Sequence, residues 1–476
     1  MTTLAPIEKV LRAWRRSSLA SSSGVLPAML TVASLTLLVK VVSAAKEIQV
    51  ARSLGVGDSL DAFYIAFLIP GIIVNIVGTS LNTALIPTYI RIREQEGPGR
   101  AYRLYSSMLV CSLLLLFFIA GLLALTFPAM ISLIGGSFGP AKVDCTRSLF
   151  FLLLPVIALV GISTTWGAVL NASNRFGLVA VTPIITPLTV LAALLMFGHA
   201  YGVYALAGAT LAGAAIEAGV LGCQLIRLKM PLGLRWHGYS PELKQVIVQY
   251  LPVAAGALIF SGTSFADQTL AARLSSGAVS RLAYGNKIVG LVISVGATAV
   301  GASVLPHFSR LVALGEWERL RAVLRAATVA VLVVTVPTAC ILGLKSAFIV
   351  RTLFERGAFT AADTGVVSHV QACYSLGIPV YILGAMYLRL ISAMSMNKRI
   401  LVVAGINVVL NFALDLAFMR VLGAAGIALS TSLVSFFSCI VLYCILRKPL
   451  QRPTSAAVKT YNPTVVTDGS REVSRV

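Results

Sequence analysis

The chain is 476 residues long, 58% hydrophobic and 12% charged, with a mean hydropathy of +0.90. Soluble domains carry about 25% charged residues, so this composition excludes a soluble globular protein and indicates an all-α polytopic membrane protein. The net charge of +21 is spread over arm, loops and tail rather than gathered in one patch, which argues against a nucleic-acid partner.

Residues 1–26 form a basic arm, with Lys9, Arg12, Arg15 and Arg16 suited to resting on anionic lipid. Apolar runs separated by polar punctuation then predict about twelve spans of the roughly 20 residues that cross a bilayer. They lie near 27–53, 58–92, 102–134, 146–172, 178–199, 203–228, 241–273, 279–312, 317–348, 362–394, 397–420 and 424–447. The first run is longer than a signal-peptide core and lacks a small-residue cleavage site, so it reads as a retained helix. Residues 448–476 form a polar tail without periodicity, expected to be disordered. Basic residues concentrate in the arm, the even-numbered connections and the tail. This positive-inside pattern predicts cytoplasmic N- and C-termini and a bacterial inner membrane.

The first two runs carry Lys40, Lys46, Glu47, Asp61 and Asn75. A Lys or Asp at the centre of a membrane helix costs roughly 2.5 to 3.5 kcal/mol on translocon scales, so such residues usually line a wet cavity. Simpler roles stand beside that one. Lys46 and Arg52 are near enough to the end of the run to snorkel, and Lys40 and Glu47 share a helix face two turns apart. Asp58 and Asp61 have capping-box spacing, with Asp58 at the N-cap.

A repeat runs through the chain. Pro87 and Arg91 match Pro306 and Arg310, Asn174 and Arg175 match Asn397 and Lys398, GVYALAGATL (202–211) matches GAAGIALSTS (423–432), and LIRLKMPL (225–232) matches ILRKPL (445–450). The offset stays near 220, which predicts two parallel-repeat six-helix lobes around a central cavity. The N-lobe covers 27–229, a cytoplasmic linker 230–240, and the C-lobe 241–447. Spans 7 and 8 then answer to spans 1 and 2, and they again carry polar groups: Asp267 and Gln268, then Tyr284, Asn286 and Lys287. The cavity candidates are Lys40, Lys46, Asp61, Asn75, Asp267 and Lys287; mutual neutralisation of Asp267 and Lys287 is the structural alternative. Prolines and glycines in TPIITPLTV (182–190) and GIPVYILGAM (377–386) mark breaks within spans. In RTLFERGAFTAADTG (351–365), Thr360 and Asp363 have N-cap spacing, and Glu355 and Arg356 form a periplasmic loop motif.

Seven cysteines without C-x-x-C, four scattered histidines and no G-x-x-x-x-G-K-[ST] leave no basis for a metal site, a bound cofactor or a P-loop. No catalytic constellation is present, so the chain reads as a transporter and not an enzyme.

These residues resemble the MurJ/MviN family of lipid II flippases, within the multidrug/oligosaccharidyl-lipid/polysaccharide exporter superfamily. The resemblance is carried by VARSLGVGDSLDAFYIAFLIP, LNASNRF, YGNKI and LFERGAFTAADT, and extends to Leu450. It implies a cationic cavity, with Lys40, Lys46 and Lys287 where the family typically has basic residues and Asp61 where it has an acid. That cavity would receive a pyrophosphate-linked sugar while the polyprenyl tail stays in lipid. Two features depart from the family pattern. Residues 74–79 read VNIVGT where the family carries paired arginines and E-G-A-F, and about twelve spans stand against the family's usual fourteen. Another polyprenyl-linked glycan therefore fits as well as lipid II, and a cation-coupled drug or small-solute exporter is the alternative class. Membrane lipids and a glycan polymerase or synthase are the expected partners, with the coupling ion open. Reporter fusions after residues 97, 237 and 455 are expected to report cytoplasm, and fusions after 141 and 358 periplasm; a periplasmic C-terminus would refute the twelve-span topology.

Overall fold

The computed structural model describes residues 25–134 and 138–451; the basic arm and the tail beyond lie outside the described residues. Among the described residues every regular element is a helix. The first half comprises α1 (Val25–Leu54), α2 (Asp58–Glu96), α3 (Pro98–Ile134), α4 (Pro140–Leu153), α5 (Val156–Ala172), α6 (Phe176–Val181), α7 (Ile185–Tyr201) and α8 (Val203–Arg227). The second comprises α9 (Pro241–Ala271), α10 (Ala278–Ala313), α11 (Trp317–Leu344), α12 (Ser346–Phe354), α13 (Ala361–Ser375), α14 (Ile378–Ala393), α15 (Asn397–Leu422) and α16 (Ala424–Leu450).

Eleven segments among the described residues are long and apolar enough to cross a membrane, and they fall on the second to twelfth expected spans. The 30-residue α1 takes the place of the first. Several spans are broken where the sequence places proline, which removes a backbone donor and crowds the preceding turn. Pro155 separates α4 from α5, a short 3₁₀ turn at Thr182–Ile184 joins α6 to α7, and Gly377 precedes Pro379 between α13 and α14. At 1.5 Å per residue, the 39-residue α2 is far longer than the ~30 Å hydrocarbon core, so its ends project beyond it.

The halves use the same local devices at one offset. Asn174 (φ 60°) and Ser395 (φ 59°) end α5 and α14 in the left-handed region, 221 positions apart. Gly202 (φ 52°, ψ −124°) and Gly423 (φ 57°, ψ −133°), also 221 apart, make the turns before α8 and α16. Packing follows suit: α2 lies on α4 and α5 as α10 lies on α13 and α14, α1 lies on α7 as α9 lies on α15, and α7 pairs with α8 as α15 pairs with α16. Between halves, α2 runs along α9 and touches α10, while α1 meets α12. Lys46, Glu47, Asp61, Asn75, Gln268 and Lys287 are thereby brought to this interface.

Candidate functional site

At the meeting of the halves, the Glu47 carboxylate on α1 holds two ammonium groups. Lys46 Nζ is 2.6 Å from it and Lys287 Nζ, from α10, 2.9 Å. The Glu47 side chain is only 14% exposed, so the triad is internal. Lys287 also lies 5.6 Å from the centre of the Tyr64 ring, a cation–π contact. Lys40 stands half-buried on α1, with no acceptor bound to it among the described residues. The partners of Glu47 are therefore Lys46 and Lys287, not Lys40, and the alternative pairing of Lys287 with Asp267 does not form.

Beside Tyr64 opens a cleft of about 210 Å³ between α2 and α9, lined by Phe67, Gly71 and Asn75 on one wall and Ser261, Ser264 and Gln268 on the other. Asn75 is exposed within it. Lys46 and Lys287 against Glu47 leave this cluster one positive charge in excess, with Lys40 about two turns away along α1, and the cleft beside it carries hydroxyl and amide groups that can bind a sugar or phosphate.

Asp61 has a different place. It is 1% exposed, and its oxygens accept from the backbone N–H groups of Gly277 and Ser280, both at 2.8 Å, and from Lys142 Nζ at 3.0 Å. It caps the start of α10 in the other half, where the helix dipole favours an anion. Asp58 is not the N-cap of α2: that position is Gly57, without a side-chain cap, and the Asp58 carboxylate instead takes Lys142 at 2.7 Å. The same end of the molecule is tied a second time. Ala358 N–H donates to Arg52 C=O at 2.9 Å, and Gly55 (φ 61°) and Gly357 (φ 62°) let these strands approach so closely that an added Cβ at either would lie 2.3 Å from a backbone oxygen. The loop motif supports this tie from behind. Glu355 accepts from the Thr364 hydroxyl at 2.7 Å, Arg356 donates to Thr352 C=O at 2.9 Å, and Thr360 and Asp363 form the capping box that their spacing predicts.

Asp267 lies outside the cleft, 7% exposed and turned into the second half. There it faces Asp415 and Asn411 of α15 and accepts from the Thr431 hydroxyl of α16 at 3.0 Å. Asp415 and Asn411 are wholly buried, and Oδ1 of Asp267, both carboxylate oxygens of Asp415 and both Oδ1 and Nδ2 of Asn411 have no hydrogen-bond partner. Two carboxylates in apolar surroundings require compensating charge. A shared proton and the Asn411 amide can satisfy part of this oxygen set, and the hard oxygen donors left over suit an alkali or alkaline-earth cation. Neither Asp415 nor Lys142 was singled out from sequence. The signal for Asp415 was available, since an acid inside the apolar run LNFALDLAF is as unusual as Lys40 in its own.

Two helical halves closed at one end, a polar cleft between them and buried charge in the spans define a multi-pass membrane transporter. Comparison with known proteins makes this specific. The family model described as lipid II flippase MurJ matches residues 50–467, and the chain belongs to that family. It is 28% identical over 432 residues to the probable lipid II flippase MurJ of Rhizobium meliloti, covering 87% of this chain and 79% of that protein. It is 25% identical over 442 residues to the lipid II flippase MurJ of Burkholderia cenocepacia, covering 88% and 83%. Among solved structures, a lipid II flippase MurJ in an inward closed conformation aligns with a TM-score of 0.76 at 22% identity, over 88% of this chain and 87% of that one. An inward-facing multidrug resistance MATE transporter of the MOP superfamily aligns with a TM-score of 0.73 at 13% identity, over 88% and 98%. The family is one of flippases, not enzymes.

The Asp61 cap yields a direct expectation. Asp61→Ala removes two charge-assisted bonds across the halves, worth about 1.5 to 3 kcal/mol each, so that end should open. With Tyr64→Cys in a cysteine-free background, an impermeant thiol reagent added on the side of the α1–α2 turn should label faster once Asp61→Ala is introduced. Unchanged labelling would mean that the cap does not hold the halves together.

Proposed function

We propose that this chain translocates a polyprenyl-pyrophosphate-linked saccharide, with lipid II as the substrate, across a bacterial inner membrane by alternating access. The observation that carries this reading is the charge at the half interface. Lys46 and Lys287 against Glu47 leave one positive charge, Lys40 on the same helix as Lys46 supplies a second, and a pyrophosphate diester brings two negative ones. Lysine supplies that charge from a flexible stem without arginine's fixed fork, which suits a ligand that must leave as well as enter. Leu37, Leu38 and Val41, exposed on α1 beside Lys40, offer a lipid-facing strip for the polyprenyl tail. Names of the similar proteins favour lipid II over other polyprenyl-linked glycans. An exporter of small organic cations is disfavoured by the positive sign of the site.

The positive-inside pattern supports cytoplasmic termini, and the end held by Asp61, Arg52 and Ala358 is then the periplasmic gate. Outward opening breaks those ties, and the two halves, related by the 221-residue repeat, rock about the α2–α9 contact. A glycan polymerase or synthase that consumes the delivered precursor is the expected partner class. Coupling is assigned to the Asp267, Asn411, Asp415 and Thr431 cluster, whose unpartnered oxygens support occupation by a monovalent cation.

Lys46→Gln and Lys287→Gln should each lower flipping of a labelled polyprenyl-pyrophosphate glycan in vesicles by roughly 10- to 100-fold, the weight of one charge-assisted contact. Lys→Arg at either site should keep it. Normal transport by both Gln variants, at equal membrane levels, would remove the anionic-substrate assignment. For the cluster, replacing choline by Na⁺ at constant ionic strength should raise the thermal midpoint of the purified protein, and Asp415→Asn should abolish the rise. A rise that survives Asp415→Asn would place the ion elsewhere.

A further inference from the structure

The connection between α8 and α9 is strapped to the first half. Tyr105 Oη donates to Leu232 C=O at 2.8 Å, Ser106 Oγ accepts from Arg235 N–H at 3.0 Å and contacts Gly233 C=O at 2.7 Å, and Ser107 Oγ accepts from His237 N–H at 3.2 Å. Three successive α3 side chains thus fix the backbone from 232 to 237. Gly233 (φ 79°) permits the approach, because a Cβ there would lie 2.5 Å from the Tyr105 ring. A strap held this way presents fixed side chains, and several are apolar and exposed: Leu234 at 64%, Trp236 at 53% and Tyr239 at 65%.

Beneath the strap is a hollow of about 290 Å³ between the starts of α3 and α9, lined among others by Arg100, Arg103, His237 and Glu242. Its depth follows from helix geometry. The apolar run of α3 begins at Met108, so at 1.5 Å per residue Arg103 and Arg100 lie roughly 7 and 12 Å beyond it, in the headgroup layer. Glu242 stands a turn before the apolar run of α9, at matching depth. Exposed tryptophan and tyrosine at this level are the pattern of an interfacial belt. The hollow carries both signs of charge: Arg100 is paired with Glu96, Arg103 has no carboxylate partner among the described residues, and Glu242 faces the same space.

We propose that this hollow binds the headgroup of a zwitterionic phospholipid with a primary ammonium, a phosphoethanolamine, from the leaflet on this side. Arg103 and Arg100 take the phosphodiester, Glu242 accepts from the ammonium, and Leu234, Trp236 and Tyr239 seat the strap in the interface above the acyl chains. A choline headgroup has no N–H for Glu242, and a glycerol headgroup has no cation, so the charge pattern selects ethanolamine over both. Because the hollow joins α2 and α3 to the start of α9, an occupant bridges the two halves at the end opposite Asp61. This inference is independent of the identity of the transported molecule.

The test uses the full chain in vesicles of brominated phosphatidylcholine mixed with brominated or plain phosphatidylethanolamine or phosphatidylglycerol. The quenching of Trp236 is isolated as the difference between the parent and Trp236→Phe. Preference for ethanolamine over choline and glycerol headgroups should be about two- to fivefold, the weight of one or two interfacial ion pairs. Glu242→Gln should abolish the preference over choline, while Arg103→Gln should weaken binding of all three lipids. Equal quenching by the three headgroups, a preference for phosphatidylglycerol, or a preference untouched by Glu242→Gln would each overturn the proposal. Quenching relieved equally by soluble phosphoethanolamine and by inorganic phosphate would also overturn it, since the site would then read phosphate alone.

Discussion

The Glu47 carboxylate, shared between Lys46 of its own helix and Lys287 of the other half, is the interaction on which the rest of the interface depends. The two ammonium groups gathered without it would repel one another in a low-dielectric setting and push the halves apart. With one carboxylate among them, the cluster holds together yet keeps its positive sign. Full neutralisation by a second acid would give a stable, inert core. On the proposed reading, this balance leaves a site that is tolerable when empty and better satisfied by an anion, the condition for a ligand to alter the equilibrium between conformations.

Lys287 of that cluster lies in the first third of α10, and the start of the same helix is capped by Asp61. Asp61 belongs to α2, whose middle forms one wall of the cleft and which packs along α9. Movement of α2 against α10 therefore has to alter both the cleft and the cap, and neither can change alone. Gly55 and Gly357 add a constraint of a different kind: the backbones at this end touch closely enough that no side chain intervenes. Closure there combines main-chain hydrogen bonds and one capped helix with an apolar cluster that joins Val50 and Leu60 of the first half to Val279, Phe354 and Phe359 of the second.

Hydropathy made the spans legible because lipid imposes one requirement on every one of them, and the proline breaks followed from the missing N–H. The charged positions of α1, α2 and α10 were legible for the same reason. Their partners were not. Lys40 and Glu47 lie on one helix face, but Lys46 reaches the adjacent Glu47 through its long stem and Lys287 arrives from 240 positions away, which no local spacing encodes. Asp58 and Asp61 had the spacing of a cap for their own helix; Asp61 caps another, because the backbone donors it meets are set by how the halves pack. The strap of 232–237 is held through main-chain groups, whose pairing leaves no mark in side-chain identity.

The repeat also sharpens the meaning of the buried carboxylates. At the 221-residue offset that aligns Gly202 with Gly423, Asn411, Asp415 and Thr431 fall on Val190, Leu194 and Thr210. Val190 and Leu194 are both 2% exposed and belong to the apolar core, so the first half fills with hydrocarbon the space that the second half lines with oxygen. Equivalent helices thus make an ordinary packed interface in one half and a polar cluster in the other. Since buried carboxylates are costly and the apolar solution demonstrably fits this architecture, packing does not account for Asp415 and Asn411. An occupant of the kind proposed would account for their retention, and the asymmetry confines the polar cluster to the second half, while the first half contributes Lys46 and Glu47 to the charge cluster between the halves. Charge in this molecule is divided by place, with two lysines and one carboxylate at the interface of the halves and a pair of buried acids behind it.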